Sequence, residues 1–198
     1  MRWNSAVLML GMLLSACATT TSDGGAEGAK AMVTRLGGTF ELDSSGSIVT
    51  IDLHRSAVTN EDLACLAGIG SLRELDLRLT GVSDAGVKHL AHLTGLETLN
   101  LFRTKLTDEG LESLARLTSL RTLLIGGTGV TDRGLAHLRD FPDLRKLSVF
   151  DTAVSDQGVP LLGSLPSLEI LLIGRSKISE SGAAELQRRN PRISFREM

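Results

Sequence analysis

Apolar residues recur along most of this chain in one six-residue figure. Leu72-Arg-Glu-Leu75-Asp-Leu77 has the form LxxLxL, and the segments starting at Leu96, Leu120, Leu144 and Leu168 repeat it at a constant spacing of 24 residues. One step back, Ile48-Val-Thr-Ile51-Asp-Leu53 has the same form, so six repeats run from residue 48 to 191 without an internal insertion. The period-two alternation within the figure predicts a short strand, with repeat positions 1, 4 and 6 pointing inward.

The rest of each repeat is equally regular. Position 9 is Thr or Ser and position 11 is aliphatic, as in Thr104 and Leu106. Positions 12 and 13 pair Ser or Thr with Asp, Asn or Glu, as in Ser83-Asp84 and Thr107-Asp108. Position 15 is Gly86, Gly110, Gly134, Gly158 and Gly182, with Asp62 as the exception. Apolar residues then return at positions 16, 19 and usually 22, as in Leu111, Leu114 and Leu117, which is a helical spacing. The hydroxyl at position 12 is placed to cap that helix, with the acid favourable at its positive end. Glycine is a poor helix former, so its place at position 15 predicts a close approach by a neighbouring backbone. No repeat can bury its apolar face alone, and stacking gives one continuous core with parallel strands on one side and helices on the other.

These residues resemble the leucine-rich repeat, which has 20–29 residues per unit. The closest subtype ends in T-x-V-[S/T]-D-x-G-[L/V], occurs in many bacterial proteins and is similar to the cysteine-containing repeats of F-box proteins. The resemblance implies an α/β fold: a right-handed solenoid or horseshoe, with a parallel sheet on the concave side and helices on the convex side. Position 9 departs from the Asn or Cys of the typical motif, but a hydroxyl there can still bond the turn backbone. Residues 31–47 are expected to form an N-terminal cap. A helix over Glu27–Leu36 leads to a hairpin turning at Asp43-Ser-Ser-Gly46, with Phe40 and Leu42 placed to cover the open end of the core. Residues 192–198 form the C-terminal cap, with a final strand stub near Ile193-Ser-Phe195.

The front of the chain follows a different logic. Arg2 precedes an apolar run, Ala6 to Leu14, that is short for a roughly 30 Å hydrocarbon core. Leu14-Ser15-Ala16-Cys17 resembles the bacterial lipobox. That resemblance implies a lipoprotein signal over residues 1–16 and acylation of Cys17, which anchors the chain at about 0.8 kcal/mol per buried CH₂. Ala18, in place of the Asp linked to inner-membrane retention, points to the outer membrane of a Gram-negative cell. An ordinary secretory signal with an incidental cysteine is the plainer alternative. Residues 17–30 are small, polar and Gly-rich and read as a flexible tether, whose last twelve residues span roughly 20 Å. Cys17 and Cys65, the two cysteines of the chain, could instead pair.

Composition narrows the partners. The net charge of −2 gives no basic stripe for nucleic acid. No cofactor motif appears: Gly37-Gly38 and Gly126-Gly127 lack the Lys and frame of a phosphate loop. The convex column Cys65, His89, Ser113, His137 and the pair His54 and Asp76 are the best catalytic or metal constellations. Helices about 8–10 Å apart hold such groups too far for a nucleophile and its base, so a non-enzyme is expected. By alternation, positions 3, 5 and 7 face outward on the sheet. There Phe102, Leu124, Phe150, Ile170 and Leu172 form an apolar patch flanked by Arg78, Arg103, Asp151 and Arg175, the look of a protein or peptide interface. The bland alternative is that these side chains lean on one another and shield the sheet. A monomeric envelope module that binds a protein is the leading expectation, and a structural envelope protein without a ligand is the second. An F-box-like adaptor lacks an F-box segment before residue 48.

Overall fold

The computed structural model describes residues 24–195. The expected leader, Cys17 and residues 196–198 lie outside the described residues. One eight-stranded sheet runs in sequence order: β1 (Thr39–Leu42), β2 (Ile48–Asp52), β3 (Glu74–Asp76), β4 (Thr98–Asn100), β5 (Thr122–Leu124), β6 (Lys146–Ser148), β7 (Ile170–Leu172) and β8 (Ser194–Phe195). β1 is antiparallel to β2, and every later pair is parallel. The parallel register steps by one repeat each time, so Leu75 faces Leu99 and Leu99 faces Leu123. Leucines at positions 1, 4 and 6 form one core, with Leu96, Leu99, Leu101, Leu120 and Leu123 all fully buried. The leucine-rich-repeat architecture expected from the periodicity is the one observed.

The segments opposite the sheet are shorter and tighter than ordinary helices. They comprise the α-helical pieces α2 (Asp84–Val87), α3 (Asp108–Ser113), α4 (Val159–Ser164) and α5 (Glu180–Arg189), and 3₁₀ turns such as Asp62–Leu66 and Gly134–Asp140. The sequence explains the tightness. Apolar residues spaced by three stack on one side of a helix with three residues per turn. Leu63, Leu66 and Ile69, and Leu135, Leu138 and Phe141, are buried in this way. In the last repeat Arg189 occupies position 22, and the segment becomes the ten-residue α5.

The hydroxyl at position 12 does not chiefly cap its own helix. Ser83 and Thr107 make no side-chain cap bond. Instead it donates to the position-13 carboxylate of the preceding repeat, while its amide donates to the other oxygen. This holds for Thr107 on Asp84, Thr131 on Asp108, Ser155 on Asp132 and Ser179 on Asp156. Thr131, Ser155 and Ser179 also accept from the amides of Arg133, Gln157 and Gly182, so these three do both. The position-15 glycine follows from the same contact. A Cβ on Gly86 would stand 2.5 Å from Asn60 Oδ1, and one on Gly158 would stand 2.7 Å from Asp132 Oδ1. What approaches most closely is a side chain of the previous repeat, and the expected backbone follows close behind, with the Cα of Asn60 3.1 Å from a Cβ on Gly86 and that of Asp108 3.2 Å from one on Gly134. Asp62 is allowed at position 15 because no repeat precedes it. Its carboxylate takes the Thr59 amide and hydroxyl and pairs with Arg35 of the N-terminal helix.

That helix, α1, spans Gly24–Arg35. Residues 24–30, expected as tether, are therefore helical. Ala29, Met32 and Val33 are buried against the first repeat, and that burial extends the helix backward past Glu27. Phe40 packs on the core as expected, but Leu42 is 47 % exposed. The β1–β2 register shifts between Glu41 and Leu42, where the hairpin runs past the end of the core.

Candidate functional site

The open face of the sheet is organised by the side chain at position 5. At the end of each strand the chain turns, and in repeats 2 to 5 the position-6 carbonyl is taken by the position-9 hydroxyl of the same repeat: Thr80 on Leu77, Thr104 on Leu101, Thr128 on Ile125 and Thr152 on Val149. The position-7 amide then finds its acceptor in the side chain two residues earlier. His54 donates to Asp52, Arg78 to Asp76, Phe102 to Asn100 and Phe150 to Ser148. Polar residues at position 5 thus complete the backbone at this turn. Repeats 4 and 6 break the rule together: Leu124 and Leu172 offer no acceptor, and position 7 becomes Gly126 or Gly174.

Those glycines make room for the rings of the preceding repeats. A Cβ on Gly126 would stand 3.0 Å from the Phe102 ring, and one on Gly174 would stand 3.1 Å from the Phe150 ring. Phe102 and Phe150 meet at a centroid distance of 6.3 Å with planes tilted 45°. Arg103 lays its guanidinium 5.2 Å from the centre of the Phe102 ring, a cation–π distance.

A concavity of about 460 Å³ opens beside this cluster, lined by His54, Arg55, Arg78, Leu79, Asn100, Phe102, Leu124 and Ser148. Of the residues expected for binding, Arg78, Phe102 and Leu124 meet there. Phe150 and Arg103 touch Phe102 from the side. Arg175 and Asp151 are joined to each other at 3.2 Å, further along the sheet. Ile170 is half-buried in register with Lys146. Leu172, expected to be exposed, is only 6 % exposed. It sits between β6 and β8, with the Phe150 ring leaning over Gly174 in the same repeat.

Arg55, Leu79, Asn100 and Ser148 are not among the residues expected to bind, although alternation does place Asn100 and Ser148 on the sheet face. Asn100 and Ser148 are buried among their neighbours and read as polar filler. Arg55 and Leu79 occupy position 8, which alternation would turn away from the sheet face. Their backbones are left-handed, at φ 56° and 59°, and bring them to the pocket. The same conformation recurs at Arg103, Asp151, Arg175 and Gly127, and the glycine is the one residue among them that hints at it.

The acids here are internally engaged. Burial raises the Asp52 carboxyl, but the His54 amide and ring, with the charges of His54 and Arg78, outweigh it and hold it below the ordinary aspartate range. His54 Nδ1 lies 2.8 Å from Asp52, so its partner is the acid of its own strand and not Asp76 as expected. Asp76 faces Arg78 Nε at 3.5 Å and accepts from Asn100. On the convex side Cys65, His89, Ser113 and His137 are each half-buried. No group of three or more His, Cys, Asp or Glu in metal-holding geometry occurs among the described residues.

Comparisons with known proteins agree with this architecture. A family model described as a leucine-rich repeat matches residues 71–91 and 92–115. No curated protein matches. Among solved structures, an internalin of Listeria monocytogenes is similar over 84 % of this chain, with a TM-score of 0.56 and 20 % identity. A leucine-rich-repeat protein of Leptospira interrogans is similar over 67 % of this chain, with a TM-score of 0.52 and 16 % identity. The chain spans 54 % of the first and 33 % of the second. The chain is a leucine-rich-repeat solenoid with an open parallel sheet.

Proposed function

We propose that this chain is a recognition module of the bacterial cell envelope that takes a protein or peptide partner on its sheet face and is held at the membrane through Cys17. The observation that carries the recognition role is the concavity in which Leu79, Phe102 and Leu124 stand beside Arg55 and Arg78. An apolar wall with a few charged groups at its rim is the usual composition of a partner site. The leucine-rich-repeat fold supports a binding role over a catalytic one.

The test is site-specific photo-crosslinking of the full chain in its native envelope. A photoreactive residue at Thr122, half-buried on the sheet face, is compared with one at exposed Glu112 on the opposite side. The expected result is a discrete adduct from position 122 alone, lost when Phe102→Ala and Phe150→Ala are combined. Equal labelling from both positions, or an adduct indifferent to the two phenylalanines, removes the proposal. The second reading, a structural envelope protein without a ligand, draws support from the packing of Phe102 and Phe150 on glycines and on each other. It predicts no discrete adduct from either side.

Lipid anchorage rests on Leu14-Ser15-Ala16-Cys17. Metabolic labelling with an alkyne fatty acid is expected to mark the mature chain at Cys17, and Cys17→Ser is expected to release the solenoid into the soluble fraction. Absence of label from the mature chain, or a Cys17→Ser variant that stays in the membrane fraction, removes the anchor reading.

A further inference from the structure

We infer that the sheet-face pocket recognises an acidic peptide segment, one that sets a carboxylate side chain beside a bulky apolar one. This rests on the reading of that face as a recognition surface. The charge balance of the pocket carries it. Its own acids are spent: Asp52 on the His54 amide and ring, Asp76 on the Arg78 amide, Arg78 Nε and Asn100. The cations are in excess. Arg55 and Arg103 are exposed, and neither has a carboxylate partner among the described residues. Arg78 meets Asp76 through Nε at 3.5 Å. The remaining free acid of these strands, Glu74, stands at position 3, roughly 16 Å of strand away from position 8. A planar guanidinium with free terminal nitrogens fits a carboxylate at two points. Arg55 and Arg103 are held by left-handed backbone at φ 56° and 53° on repeats 1 and 3. Strand spacing puts them roughly 10 Å apart, with Arg78 and Leu79 of repeat 2 between them. Leu79, Phe102 and Leu124 line the floor below. The volume suits one apolar side chain with its acidic neighbour.

The experiment measures fluorescence anisotropy of labelled peptides on the full chain. The probe is Gly-Ser-Glu-Phe-Glu-Ser-Gly, with one control that has Lys for both Glu and another that has Gly for Phe. The expected result is saturable binding of the probe, about tenfold tighter than either control and weakened by salt. Arg55→Gly is expected to weaken it about tenfold; that variant keeps its fold, because glycine suits the left-handed backbone. Arg116→Gly on the opposite side is expected to leave it unchanged. Absence of saturable binding, equal binding of all three peptides, or indifference to Arg55→Gly overturns the inference. Self-association of the chain that Arg55→Gly abolishes also overturns it, in favour of a second copy as occupant. If the Thr122 crosslink persists while every peptide fails, the acidic chemistry is wrong and the recognition face stands; loss of both removes the face as well.

Discussion

The carboxylate of Asp108 holds Thr131 of the next repeat at two points, with Oδ1 taking its amide at 2.8 Å and Oδ2 its hydroxyl at 2.7 Å. Four such grips tie successive repeats together on the side away from the sheet. The first joint does the same with an amide: Asn60 Oδ1 takes the Ser83 amide at 3.0 Å, and Asn60 Nδ2 donates to the Ser83 hydroxyl at 3.0 Å. Reversing the hydroxyl therefore lets Asn do the work of Asp. Asp108→Asn is expected to cost less than about 1 kcal/mol, and Asp108→Ala about 2 kcal/mol, the scale of lost charge-assisted bonds. Urea midpoints of the two variants check this; equal losses would show that the amide at the first joint is no guide to the others.

Gly134 gives the same contact from the other side. The three atoms nearest to a Cβ there all belong to Asp108, including its Cα at 3.2 Å. Helix propensity favours Gly134→Ala by about 1 kcal/mol, while the clash opposes it by about 2–3 kcal/mol. The expected outcome is a net loss, and one that shrinks when Asp108→Ala is already present. Such coupling is read from a double-mutant cycle. Additive effects would mean that the glycine answers to something other than this carboxylate.

The periodicity made the strands, the core and the stacking legible, because burying Leu75, Leu99 and Leu123 in one spine permits a single register. It could not reveal the joints. Thr107 looks the same whether it caps its own helix or holds Asp84, since both need a hydroxyl at position 12, and the direction is set only once the repeats are stacked. Nor could it reveal the pocket. Alternation locates Phe102 and Leu124 on the sheet face, but a left-handed residue leaves the alternation, and Arg55 and Leu79 carry no mark of that conformation. Leu172 shows the opposite failure: its position is right for exposure, yet it is buried.

Arg55 adopts φ 56°, a region that costs a residue with a Cβ about 1–2 kcal/mol. Glycine removes that cost and gives back about 0.5–1 kcal/mol through a freer unfolded chain. Arg55→Gly is therefore expected to raise stability by about 0.5–1 kcal/mol, seen as a higher thermal midpoint, and Arg55→Val to lower it. The same conformation recurs at position 8 of every repeat, so the gain belongs to the turn of the solenoid; if glycine destabilises, the left-handed turn carries no strain at Arg55.

Acid should loosen the last joint. Asp156 accepts the Ser179 hydroxyl at 2.6 Å and its amide at 2.8 Å. The hydroxyl bond, then the amide bond, hold its carboxyl below the ordinary aspartate range. A carboxyl lowered in the fold binds its proton more readily in the unfolded chain. Its stabilising contribution is therefore complete above about pH 4 and is lost as pH falls through the depressed folded value. Asp156→Asn cannot lose a charge there, so its urea midpoint is expected to fall less between pH 6 and pH 3 than that of the parent chain. Protease nicking around α5 should rise with acid in the parent and stay flat in the variant. Parallel acid losses in both proteins would assign the effect to other carboxylates, with Asp62, held by Thr59 and Arg35 at the opposite end, the first to test.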